Sequence, residues 1–236
     1  GAGNFSNSAG VTFSTLALSG GSLGGTQDLD ITGPATWTAG GMTGTGRTTT
    51  LGTLAISGTQ VHDITGGRTL RTAGTTTWTN TGDDLGRIRT GPNVTLDNTG
   101  TWLDQSAFNT RISADFGGPG TFANAGTYTK SGAGVTDIQI AFNNAGSGVV
   151  NLDSGTFGIG GGGASTGLFN LAAGTTLGFV AGAYTLDGSV AAAAGSRVLV
   201  NGGVVTTVGN KTVGGLLEVA SGTFTANGPT TVASYL

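Results

Sequence analysis

The densest chemistry in the chain lies in GDDLGRIR, residues 82–89, where Asp83 and Asp84 are followed by Arg87 and Arg89. Paired carboxylates can do general acid and base work on a glycosidic bond, provided they flank the sugar from opposite sides. Adjacent residues on a strand point to opposite faces, and at a corner both face water. The spacing therefore argues against a working pair. The single histidine, His62 in VHDI (61–64), is the only base through which a Ser-His-acid triad could run. Its alternation with Ile64 turns it toward a core instead. Calcium requires many oxygen ligands, several of them carboxylates, and the twelve acidic residues are scattered along the chain. GIGGGGASTG (158–167) lacks the Lys-Ser/Thr step of a phosphate loop and reads as a corner. No catalytic residue, metal or cofactor is expected.

The charges make a second pattern. Aligning VHDIT, GRIRT, TRISAD and TDIQI sets Ile64, Ile88, Ile112 and Ile138 in register, 24 to 26 residues apart. Their preceding neighbours Asp63, Arg87, Arg111 and Asp137 then stack on the outer face, with Arg68, Arg71 and Arg89 forming a basic patch beside them. Exposed pairs of this kind contribute at most about 1 kcal/mol each. The functional reading of the patch is a weak site for an acidic glycan or a neighbouring chain.

What must position these residues is a repeat. The 236 residues include 48 glycines, no cysteine, one Met and one His, and only 9% are charged. Collagen needs a strict third-residue Gly period with abundant Pro, and this chain has four prolines. With 36% hydrophobic residues, disorder is a poor reading. A net charge of −3 offers no electrostatic footprint for nucleic acid, and no run of eighteen apolar residues exists to span a membrane. Phrases such as TLALSG (15), TLAISG (53), TYTKSG (127) and LLEVASG (216) recur at a mean spacing of about 22 residues, the range of solenoid repeats. Each unit divides into three short runs with Gly-rich corners: TTTWT, DLGRIRT and NVTLDN in 75–100; PATWT, GGMTGT and GRTTTLG in 34–52. Segments 75–100, 101–126 and 147–174 read as longer than the rest. The expectation is an all-β, parallel β-helix of three strands per coil, one domain over 1–236. About ten coils at the interstrand spacing give a rod on the order of 50 Å.

LDNTGTW, FANAGTY and FNNAGSG repeat one phrase. It puts Asn98, Asn124 and Asn144 at the same corner of successive coils, where their amides can bond one to the next along the axis. An Asn there tolerates left-handed backbone angles and can bond its own backbone, and Gly100, Gly126 and Gly146 are expected to follow in conformations a Cβ forbids. Leu16, Leu18, Trp37, Leu54, Ile56 and Trp78 are expected to face inward, which leaves Thr36, Thr38, Thr77 and Thr79 outside with Thr129 nearby. A flat threonine array could meet ice, although Ala55 and Leu103 interrupt it.

GTFANAGTYTKSGAGVTDI (120–138) and AGTTLGFVAGAYTLDGS (173–189) resemble the repeats of large secreted bacterial adhesins with right-handed β-helical stalks: autotransporter passengers and filamentous-haemagglutinin-like exoproteins. That resemblance implies an extracellular or cell-surface stalk or fibre without catalytic residues. GDD and RIR also invite comparison with β-helical polygalacturonases, but there such elements lie on different coils joined by a Gly-His-Gly, whereas here they are consecutive. The chain begins in repeat-like text, GAGNFSNSAGVTF, and ends in GPTTVASYL, read as a third strand. Uncapped solenoid ends expose unpaired backbone groups. The expected partners are therefore other copies or adjoining repeats, end to end, together with surface glycans.

Overall fold

A computed structural model describes residues 1–6 and 10–236; positions 7–9 of the opening segment lie outside the described residues. Within them the chain is all-β, a parallel β-solenoid of about 11 coils with about 21 residues per turn and three strands per coil. The coil is thus slightly shorter and more numerous than the sequence spacing suggests. One coil is built from Thr75–Trp78, Ile88–Thr90 and Thr95–Asn98. The next is built from Thr101–Asp104, Thr110–Ser113 and Thr121–Asn124. Each strand pairs in parallel with its equivalent one coil on, Thr75 opposite Thr101 and Thr101 opposite Thr127. A coil has no apolar face to bury against itself, so cohesion comes from its neighbours.

Side chains alternate across each strand, and the strands of TWLD, TFAN, TYTK and VVNL each read half-buried, buried, half-buried, buried. The inward positions stack into columns. Leu54, Thr76, Trp102, Tyr128 and Val150 form one; Leu18, Trp37, Ile56 and Trp78 begin another. Trp37, Trp78, Leu54 and Ile56 are buried, and Leu16 packs partly buried at the edge of this core. Aromatic rings fill the middle coils edge to face: Trp102 against Phe122 at 5.2 Å, Phe142 against Phe157 at 5.1 Å. Edge-to-face contact sets a ring's positive rim on its neighbour's negative face.

The two long coils begin at Thr75 and Thr101, each 26 residues from its successor. Segment 147–174 is not long: Val149 lies opposite Leu168, a step of 19 residues. The extra residues leave the core columns undisturbed because they loop out at corners, between Trp78 and Ile88 and on both sides of Thr110–Ser113. At the end of the chain, Ser234 and Tyr235 lie over Leu216 and Leu217, which in turn lie over Arg197 and Val198. That is the second-strand column, so the closing segment is not a third strand. First and second strands run together in Thr230–Tyr235, and all three in Lys211–Asn227, which removes the corner that would have marked the boundary.

Candidate functional site

Corners and strands of three successive coils, the two long ones and the next, bring together an exposed, charge-lined cleft. Asp83, Asp84, Asn109, Thr110, Arg111, Val135, Asp137 and Gln139 line a volume of about 280 Å³. Asp84 sits at a turn with φ 59°, a left-handed conformation that Asp tolerates better than most residues. Its amide N–H donates to the Asn109 carbonyl at 2.7 Å, and the Asn109 amide donates to Asp83 Oδ1 at 2.9 Å. Asn109 Oδ1 accepts in turn from the Val135 amide at 2.9 Å. Side chain and backbone therefore tie three coils together at one corner.

The ion pairs correct the register expected from the isoleucines. Arg87, Arg111 and Asp137 do stack, because Ile88 pairs with Ile112 and Arg111 with Asp137. Asp63 does not belong to that column. Ile88 lies opposite His62, not Ile64, so Asp63 faces Arg89. The strand is shifted by two residues because the long loop after Trp78 absorbs the difference in coil length. Arg89 grips Asp63 with two bonds, Nε to Oδ1 at 2.8 Å and Nη2 to Oδ2 at 2.9 Å, and its guanidinium lies 5.0 Å from the Phe116 ring centre. Arg87 binds Asp84, and also Asp115 at 3.2 Å; Arg111 reaches the same Asp84 carboxylate at 3.0 Å. The basic patch dissolves as well. Arg68 points inside and is fully buried, with Nε donating to Thr48 Oγ1 at 2.9 Å and Nη1 to the Thr43 carbonyl at 2.9 Å. Arg71 lies 3.7 Å from Asp97. Val135, in the cleft lining, is exposed, and so are Leu85, Phe108 and Phe116 on the two long coils.

His62 is buried against Trp37, the ring centres 4.9 Å apart. Both ring nitrogens face carbonyls, Nε2 those of Trp37 and Ser57 at 3.0 and 3.2 Å and Nδ1 that of Gly86 at 3.2 Å, and a nitrogen donates to them only where it carries a proton. Burial pushes its pKa below the ordinary range, and the surrounding backbone hydrogen bonds work against that shift.

The three asparagines meet inside the solenoid. Asn98 Nδ2 donates to Asn124 Oδ1 at 2.7 Å, and Asn124 Nδ2 donates to Asn144 Oδ1 at 2.8 Å. Hydroxyls extend the row at both ends: Thr72 Oγ1 donates to Asn98 Oδ1 at 3.0 Å, and Asn144 Nδ2 donates to Ser165 Oγ at 3.2 Å. Backbone geometry differs from the expectation. The three asparagines end strands with buried side chains, and none has a positive φ. Gly100 and Gly126 serve close stacking, since a Cβ there would strike the carbonyls of Gly74 and Gly100 below. Gly146 has no such neighbour; in that coil the tight position moves to Gly148, where a Cβ would meet the Asn124 carbonyl.

The column that carries Trp78 continues into two charged residues that the sequence reading left unassigned. Asp104 lies opposite Trp78, and Lys130 opposite Asp104; both are completely buried. Asp104 Oδ2 accepts from Tyr128 at 2.9 Å and from Thr136 at 2.5 Å, while Oδ1 accepts from the Ser106 amide at 3.0 Å. Lys130 Nζ lies 3.8 Å from Asp104 Oδ2 and donates to the Gly132 carbonyl at 2.7 Å. Burial pulls the lysine pKa down, with Asp104 opposing. Burial, reinforced by Asp104, pushes the Tyr128 pKa well up and keeps its hydroxyl a neutral donor. The signal was present in the alternation: once Trp102 and Tyr128 face inward, Asp104 and Lys130 two residues on must do the same.

Among the described residues no group of three or more His, Cys, Asp or Glu is placed to hold a metal, and no helix is long and apolar enough to cross a membrane. Comparison with known proteins returns no matching family model, curated protein or solved structure.

Proposed function

We propose that this chain is a non-catalytic segment of a bacterial extracellular stalk, adhesin or fibre, whose coils continue those of adjoining repeats or further copies. One observation carries the reading: among the described residues the coils stack in a parallel ladder in which each inner strand is hydrogen-bonded to its equivalents on the coils before and after it. Ala2–Asn4 pairs with Leu16–Gly24, and Thr230–Tyr235 pairs with Lys211–Asn227. An unpaired strand edge is a template for another strand. A head-to-tail contact of this kind does not close on itself, so it extends into a filament. Sedimentation velocity across a concentration series tests the assembly: growth of end-to-end oligomers supports it, and a strictly monomeric species at high concentration overturns stacking through the ends.

A second reading, carbohydrate binding, draws on the cleft at the long coils. Its carboxylates, amides and guanidinium are planar groups that can bond vicinal sugar hydroxyls, and Val135 offers an apolar floor. Asp83 and Asp84 are already engaged by Asn109, Arg87 and Arg111, which favours binding over cleavage. Glycan-array screening with a reducing-sugar assay on polyuronides separates the readings. Cleavage abolished by Asp83→Ala or Asp84→Ala would sink the structural one.

A further inference from the structure

We propose that Lys130 and Asp104 form an intramolecular amide cross-link that joins two successive coils. The pair is unusual on physical grounds. Two opposite charges with no exposure must be repaid by close contact and full hydrogen bonding, yet Nζ stands 3.8 Å from the carboxylate oxygen. Its nearer partners are neutral carbonyls, those of Gly132 at 2.7 Å and Ser106 at 3.4 Å. Condensation removes both charges from the interior.

The surroundings are arranged for that step. Asp104 and Lys130 are register partners on adjacent parallel strands, so neither backbone must move for the side chains to meet. Trp78 on one side and Leu152 on the other close the column above and below them. Holding two groups together in this way replaces a bimolecular encounter with a unimolecular one. The carboxyl is surrounded by donors: the Ser106 amide on Oδ1, and the Tyr128 and Thr136 hydroxyls on Oδ2. Donors fixed on both oxygens stabilise the negative charge that develops as nitrogen adds to carbon.

The atoms balance without any co-reactant. Lys130 Nζ gives up two of the three ammonium protons and bonds Asp104 Cγ. The Cγ–Oδ2 bond breaks, and Oδ2 takes those two protons and leaves as water. Oδ1 remains as the amide carbonyl, still accepting from Ser106. Exclusion of water from the site disfavours the reverse hydrolysis. The cross-link ties coil to coil at the centre of the solenoid, where tension along the axis would otherwise peel strands apart.

Intact-mass spectrometry of the folded chain is the test, against the 22.9 kDa sequence mass. The expected result is a mass lower by one water, with proteolysis yielding a branched peptide that joins the Asp104 segment to the Lys130 segment. Lys130→Arg keeps a cation in place but cannot form this bond, and it should restore the full sequence mass. A wild-type chain at full sequence mass after prolonged incubation overturns the proposal, and that measurement stands even if the variant fails to fold. A water loss that persists in Lys130→Arg, or that maps to a linear peptide, overturns it equally.

Discussion

Asn124 is the middle rung of the buried amide row, and Asn124→Ala isolates what that row contributes. The substitution removes the acceptor for Asn98 Nδ2 at 2.7 Å and the donors to Asn144 Oδ1 at 2.8 Å and the Val149 carbonyl at 3.3 Å. The consequences are unequal. Asn98 Nδ2 keeps the Thr127 carbonyl at 3.1 Å, so its loss is that of one net hydrogen bond, about 0.5–1.5 kcal/mol. Among the described residues Asn144 Oδ1 has no other donor, and the residue is fully buried; stranding that oxygen costs about 1–3 kcal/mol. The sum is about 3 kcal/mol. Asn124→Thr should cost about half as much, because a hydroxyl both donates and accepts and Thr72 already occupies this column one rung away from Asn98. Urea unfolding followed by the fluorescence of the three tryptophans, Trp37, Trp78 and Trp102, supplies the midpoint and slope. Amide hydrogen exchange in Thr121–Asn124 and Ala141–Asn144 reports whether the opening is local, as repeat architectures allow. If Asn124→Ala unfolds within about 0.5 kcal/mol of wild type, or Asn124→Thr is as damaging as Ala, the row is not a source of stability and the reasoning fails.

Two further outcomes follow from the core. Trp78→Ala should cost about 3–5 kcal/mol as a buried aromatic truncation, since Trp78 is fully buried and its Nε1 donates to the Gly86 carbonyl at 2.9 Å; heat or urea unfolding that matches wild type would refute the assigned register. His62 should make stability pH-dependent in one direction. Its folded pKa lies below the ordinary 6.5, so the unfolded chain takes up the proton first; the contribution is complete above the unfolded value and is lost as pH falls through it toward the folded one. Urea midpoints measured above and below that window should show a drop on the acid side that His62→Phe diminishes, and an unchanged slope in the variant would refute the assignment.

The local pattern in the sequence was enough to establish the class of fold. Apolar and aromatic residues alternate with Thr and Asn over four-residue runs, and glycines recur at the corners, so strands, corners and the inward faces of Trp37, Trp78, Leu54 and Ile56 were all legible. Each of these depends on neighbours close in the chain. Register between coils depends on how many residues each corner absorbs, and nothing local announces that number. The loop after Trp78 took up enough chain to set Ile88 against His62, which moved Asp63 from Arg87 to Arg89 and split the expected ladder into an Arg89–Asp63 pair and a network of Arg87 and Arg111 with Asp84 and Asp115. The same accounting put Asp83, Asp84, Arg111 and Asp137 around one cleft, although they come from three different coils. Asp104 and Lys130 stand between these cases. Alternation with Trp102 and Tyr128 determines that both point inward, while only the stacking of one coil on the next brings the carboxylate and the amine to 3.8 Å within a closed core, because a period of two sets the face of a side chain and coil length sets its partner.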